Sequence, residues 1–165
     1  MENLISVQGL CKQYGDFALD HIDLTVPAGE IVGLIGENGA GKTTTIKAIL
    51  GLIRPDSGSI SLMGAAPGDR DALEKVGVVF EDSYFYGGLT ARQVDKILSG
   101  IRPDWDSSQF QSDCRRYGLD MGKSIKDFSR GMRMKLSLAT AMASHPRLLV
   151  MDEATSGLDP VVRGE

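Results

Sequence analysis

Residues 36 to 43 read Gly36-Glu37-Asn38-Gly39-Ala40-Gly41-Lys42-Thr43, the pattern G-x-x-x-x-G-K-[ST]. The apolar run Ile31-Val32-Gly33-Leu34-Ile35 precedes it, and a helix-like stretch from Thr44 to Leu50 follows. The order predicts a buried central strand at 30–35, a tight glycine turn and a helix. Glycines let such a turn aim its backbone N–H groups at an anion. The helix that follows adds its own unpaired N–H groups and the positive end of its dipole. Lys42 is then placed to reach β- and γ-phosphates, and the Thr43 hydroxyl to ligate Mg²⁺. The segment predicts a nucleoside triphosphate site.

At 165 residues the chain is long enough for one well-formed core. Its 42% hydrophobic and 24% charged residues are ordinary for a globular protein. A net charge of −4 argues against a general nucleic-acid binder, whose footprint is a basic excess. The local basic run from Arg130 to Lys135 reads as a solvated helix face. Cys11 and Cys114 lack metal-ligand spacing and read as reduced thiols, while His21 and His145 have no partner motif, so no transition-metal site is expected. Nothing approaches the ~18 apolar residues of a membrane span, so any work at a membrane implies docking to another chain.

Along the chain, residues 1 to 30 alternate apolar and polar positions (Leu4 to Val7, then Ile22, Leu24, Val26), which predicts β-structure. The first helix is expected to end at Gly51. A short strand follows at 59–63, a short helix at 69–75 and a buried strand at 76–80. Thr90-Ala-Arg-Gln93 has capping-box form and opens a helix towards Leu98. Ser107 to Tyr117 reads as a second helix, closed by Gly118 at C′. A third runs from Ser129 to Ala143, with Met132, Leu136, Ala139 and Ala143 on one stripe. Arg147 to Met151 returns to an apolar strand. These readings give an α/β nucleotide-binding core at 1–83 and 145–165, interrupted by a helical subdomain at 84–144.

The strand from Leu148 ends in two adjacent carboxylates, Asp152 and Glu153. Alternation points them different ways, so they need not share a role. One can hold Mg²⁺, directly or through water, and the other can orient or deprotonate an attacking water.

Taken together these motifs resemble the ATP-binding cassette family, the ATPase subunits of ABC transporters. The resemblance rests, in the family's order, on the phosphate loop, the segment around Glu81, Phe128-Ser129-Arg130-Gly131-Met132, Leu148 to Glu153, and Ser156-Gly-Leu-Asp159. It implies a P-loop NTPase core with an N-terminal antiparallel β region and a helical subdomain inserted before the strand at 148. The resemblance further implies that Tyr14 stacks on adenine and that Gly36, Glu37, Asn38, Gly39, Ala40, Gly41, Lys42, Thr43 and Thr44 bind the phosphates of ATP. Thr43, Asp152 and Glu81 would serve Mg²⁺, and Glu153 would be the general base. Ser129 and Gly131 would reach the γ-phosphate held on a second cassette, and Asp159 would lie in the loop coupling paired sites.

Two motifs depart from the family pattern: the signature Leu-Ser-Gly-Gly-Gln, which here keeps only Ser129 and Gly131 between Phe128, Arg130 and Met132, and the position after the strand at 76–80, where Glu81 stands in place of the usual glutamine. A carboxylate can still ligate Mg²⁺ but cannot donate as an amide does. The family continues beyond Glu165 with further strands and a γ-phosphate histidine, so the resemblance implies a C-terminally truncated chain. The implied partners are a second cassette and integral membrane subunits. The run Tyr84-Phe85-Tyr86 in a polar loop reads either as a small satellite core or as a face that docks a membrane subunit. The implied location is the cytoplasmic face of the membrane, in the manner of bacterial exporters. A soluble relative acting on ribosomes or DNA is the alternative.

Overall fold

A computed structural model describes residues 2–80 and 85–152. The chain divides into two compact units, Met1–Glu74 and Lys75–Glu165.

The first unit is built on strands β1 (Asn3–Tyr14), β2 (Phe17–Pro27) and β3 (Ser57–Leu62), an antiparallel sheet in the order β2-β1-β3. Its register pairs Ile5 with Val26 and Leu62, and Val7 with Leu24 and Ile60. Ile5, Val7, Leu10 and Leu62 are buried on this sheet. Each such aliphatic side chain contributes about 1.5–3 kcal/mol by leaving water. Helix α1 (Lys42–Ile49) buries Ala48 and Ile49. Gly51, at φ +73°, ends it in a Schellman closure: its N–H donates to the Ala48 carbonyl at 3.0 Å, and that of Leu52 donates to Lys47 at 2.9 Å. The short α2 (Arg70–Leu73) is capped by the Asp69 carboxylate, which accepts from the Ala72 N–H.

The strand expected at 30–35 does not form. Residues 31–35 have no regular structure and take no ladder partner among the described residues, and Ile31 and Ile35 are almost wholly exposed. The reason is physical. A parallel strand draws its burial and its hydrogen bonds from neighbours on each side, and apolar composition alone supplies neither.

In the second unit, β4 (Val76–Val79) and β5 (Leu148–Met151) pair in parallel, Val76 with Leu148 through to Val79 with Met151. Helices α3 (Ala91–Ile101), α4 (Ser107–Arg116) and α5 (Arg130–Met142) lie between them in sequence. Thr90 and Gln93 make the expected capping box at α3. Gly118, at φ +68°, closes α4 in a second Schellman motif, with Leu119 N–H donating to Cys114 at 2.9 Å. The stripe on α5 is inward as predicted: Leu136, Ala139 and Ala143 are buried with Phe110 and Phe128, and Met132 packs against them. The opposite side of α5 meets β4 where Gly77 leaves room, since a Cβ there would stand 2.9 Å from the Ala141 carbonyl.

Candidate functional site

The first turn of α1 explains what segment 36–44 can do. Its cap, Gly41, is left-handed at φ +94° and offers no side chain to the helix. The Thr45 N–H donates to the Gly41 carbonyl at 2.8 Å, the bond that opens the helix. By helix geometry the first-turn N–H groups of residues such as Thr43 and Thr44 point along the helix axis beyond its start, towards any anion seated there. Gly39 is also left-handed, φ +84°, and the Ala40 N–H closes a turn onto the Glu37 carbonyl at 3.1 Å. The Lys42 side chain folds back over this turn, its Nζ donating to the carbonyls of Gly36 at 2.8 Å and Glu37 at 2.9 Å. The ammonium is thus held over the loop rather than away from it. A capless helix start, two left-handed glycines and a cation above them fit a polyphosphate.

The hairpin of β1 and β2 supports the same loop. A Cβ at Gly41 would collide with Leu19 and come within 2.9 Å of the Phe17 ring. Phe17 is paired across the hairpin with Tyr14. Tyr14 therefore stands at the end of the hairpin that packs on the phosphate loop. The residue is 47% exposed, and Lys12 Nζ sits 5.1 Å from its ring centroid.

The second unit carries the other predicted groups. Ser129 caps α5, its hydroxyl accepting from the Met132 N–H at 3.2 Å, and Ser129 and Arg130 are exposed. Gly131 sits in the first turn, where a backbone N–H has no intrahelical acceptor. The Arg133 guanidinium steadies this corner by donating to the Phe128 carbonyl at 2.6 Å. β4 and β5 reach their carboxyl ends side by side, and the Asp152 N–H donates to Val79 at 2.9 Å. Asp152 itself is buried. Glu81, Tyr84, Glu153, Ser156 and Asp159 lie outside the described residues. Of the three rings after β4, Phe85 packs against the helical core and Tyr86 is 77% exposed.

The structure also brings together residues that spacing did not. Cys11, Asp20 and His21 offer ligand atoms that all lie within 4.8 Å of one another. The signal was latent in the hairpin register, which decides which residues of β2 face Cys11, and register is not legible from linear spacing.

A family model described as ABC transporter matches residues 19–156. The chain is 37% identical over 166 residues to the bacitracin transport ATP-binding protein BcrA of Bacillus licheniformis, covering 98% of this chain and 54% of that one. It is 34% identical over 161 residues to the lantibiotic transport ATP-binding protein SrtF of Streptococcus pyogenes, covering 96% and 69%. Against BcrA, then, it spans about half the relative's length. Among solved structures it resembles an ATP binding subunit of an ABC transporter, with a TM-score of 0.84 and 29% identity over 98% of this chain and 70% of that one. It also resembles cbiO1 from Clostridium perfringens, part of the ABC transporter complex cbiONQ, with a TM-score of 0.77 and 25% identity over 98% and 69%.

Proposed function

Because the chain belongs to the ABC transporter family, we propose that it is an ATP-binding and ATP-hydrolysing subunit, coupling the ATP-driven closure of paired cassettes to transport by membrane subunits. The observation that carries the reading is Lys42 Nζ held 2.8 Å from the Gly36 carbonyl, over a helix start with no side-chain cap. A triphosphate entering the loop would take over that ammonium from the two carbonyls, with the N–H groups of the first helical turn as further donors. Tyr14 would carry the adenine.

Phosphoryl transfer depends on positioning and charge stabilisation more than on covalent help from the protein. Thr43 and Asp152 would hold Mg²⁺, with Glu81 as a third oxygen donor, and the ion would neutralise charge on the β- and γ-oxygens. Glu153 would take the proton of the attacking water. Ser129 and Gly131, at a helix N-terminus, would meet the γ-phosphate bound on a second cassette, so the complete site would form only between two copies.

Residues 84–144 are proposed as the lobe that meets the membrane subunits, with exposed Tyr86 at its contact face. No described helix is long and apolar enough to cross a membrane, so membrane association would come through those subunits, on the cytoplasmic face. Export is the direction proposed, on the motif resemblance to bacterial exporters; the relatives' names specify transport of bacitracin and of a lantibiotic.

Two variants test the reading separately. Lys42→Ala should lose ATP affinity in equilibrium titration, and unchanged affinity would end the proposed role of the loop. Glu153→Gln should bind ATP normally while turnover falls about 10²–10⁴-fold. Near-normal turnover would show that another group activates the water.

A further inference from the structure

The β1–β2 pairing contains an irregularity with chemical content. Leu10 stands opposite Ile22 and Lys12 opposite Leu19, so the single residue Cys11 faces two, Asp20 and His21. Bulges of this kind re-aim side chains. Here His21 adopts φ +48°, a left-handed backbone that is uncommon outside glycine. Its N–H donates to Cys11 Sγ at 3.4 Å, and its Nδ1 lies 2.6 Å from Asp20 Oδ1. Cys11 is anchored from the other side as well. It pairs with Ser57 of β3, and its carbonyl accepts from the Asp56 N–H at 2.9 Å. Gly9, whose carbonyl receives the thiol at 3.6 Å, is itself tied through its N–H to Asp23 at 2.7 Å. The sulfur therefore projects from a fixed strand, while Asp20 and His21, at 84% and 78% side-chain exposure, reach it from the hairpin surface.

We propose that Cys11, Asp20 and His21 form a surface binding site for a thiophilic divalent ion, Zn²⁺ being the best fit, separate in chemistry from the Mg²⁺ that would accompany ATP. The donor set is one thiolate, one imidazole nitrogen and one carboxylate oxygen. That mixture suits Zn²⁺ or Co²⁺ and not the all-oxygen shells of Mg²⁺. Tetrahedral ligands about 2.0–2.3 Å from Zn²⁺ stand roughly 3.3–3.8 Å apart. Atoms already within 4.8 Å of one another need only small side-chain rotations to comply. On binding, the Cys11 thiol gives its proton to the buffer and its sulfur bonds the ion. The imidazole shifts its Nδ1 proton to Nε2 and bonds through Nδ1, Asp20 trades its contact with that proton for the ion, and water fills the fourth position. The His21 N–H remains on the sulfur and helps to orient it.

The test titrates the nucleotide-free full chain with Co²⁺ alone and reads the thiolate-to-cobalt charge-transfer absorption and the tetrahedral visible bands, then displaces them with Zn²⁺. Cys114 is fully buried, so Cys114→Ser should keep the bands and Cys11→Ser should lose the charge-transfer band. His21→Ala should weaken Co²⁺ binding at least roughly tenfold, and Asp20→Asn should weaken it more than Asp20→Glu does. In the unaltered chain, Zn²⁺ should slow alkylation of Cys11, a readout that does not depend on any variant folding. Absence of the charge-transfer band in the unaltered chain, its persistence in Cys11→Ser, or alkylation indifferent to Zn²⁺ would overturn the proposal.

Discussion

Gly41 meets two demands that a single methyl group would violate. Its backbone is left-handed, which costs a residue with a Cβ about 1–2 kcal/mol, and that Cβ would press on Leu19 and the Phe17 ring. Gly41→Ala should lower the unfolding free energy by about 1–3 kcal/mol in urea titrations and weaken ATP binding as well, because the first-turn N–H groups are displaced with it. A variant as stable as the parent would mean that the hairpin yields freely at this point. The two thiols contrast at the same scale. Cys114 is buried, and that burial, with the nearby carboxylates of Asp113 and Asp95, pushes its thiol up to about 12. Cys11 is only partly covered. In metal-free buffer near neutral pH a thiol reagent should therefore modify one cysteine in the native protein and two in denaturant. Two fast-reacting thiols in the native state would contradict the packing around Phe110.

Helices α3, α4 and α5 are held by polar joints as well as by their apolar stripe. Asp95 on α3 accepts from Trp105 Nε1 at 2.9 Å and from Gln111 Nε2 at 2.8 Å, and the Trp105 ring packs 5.2 Å from Phe110. Burial pushes the Asp95 carboxyl up, but the hydrogen bonds from Trp105, Gln111 and Ser107 outweigh it and hold the group below its ordinary 3.8. The sign follows: a depressed carboxylate adds stability above its unfolded value, lost as pH falls through the folded one. Asp95→Asn, which keeps one accepting oxygen but turns an amide donor towards the other of the two donors, should cost about 1–3 kcal/mol near neutral pH. The cost should shrink below pH 3.8, as acid unfolding of both proteins would reveal. At α5 the cap and the proposed phosphate contact fall on one residue. Ser129→Ala should destabilise by about 1 kcal/mol and impair turnover, whereas Ser129→Asp keeps a capping oxygen while placing a negative charge towards the γ-phosphate. Stability should then stay near that of the parent while ATPase activity is lost. Retained activity in Ser129→Asp would assign Ser129 to capping alone.

At the scale of the molecule, the groups proposed to act on one triphosphate lie in two compact units, the phosphate loop in the first and Ser129 with Asp152 in the second. A composite site predicts different concentration dependences for them. With ATP bound to Glu153→Gln, hydrogen exchange should slow in residues 36–50 at any protein concentration. Around residues 128–133 it should slow only where two copies meet, and increasingly so as concentration rises. Protection of both segments together at high dilution would favour a site completed within one chain.

What the sequence determined by itself was whatever a few neighbouring residues settle. The capping box at Thr90, the glycine closures at 51 and 118, the Ser129 cap and the turn around Lys42 all follow from local backbone sterics and short hydrogen bonds. The inward stripe of α5 follows from helical period, and its burial with Phe110 and Phe128 matches. Tertiary structure decided the rest. The run 31–35 has the composition of a buried strand yet lies exposed, because pairing belongs to the sheet and not to the segment. The close seat of α5 on β4 needed Gly77 opposite Ala141, a contact across 64 positions of chain that no period encodes. Cys11, Asp20 and His21 meet because one bulge sets one residue against two. A register shift of one position would have turned the same three side chains apart, since successive residues of a strand face opposite sides of the sheet.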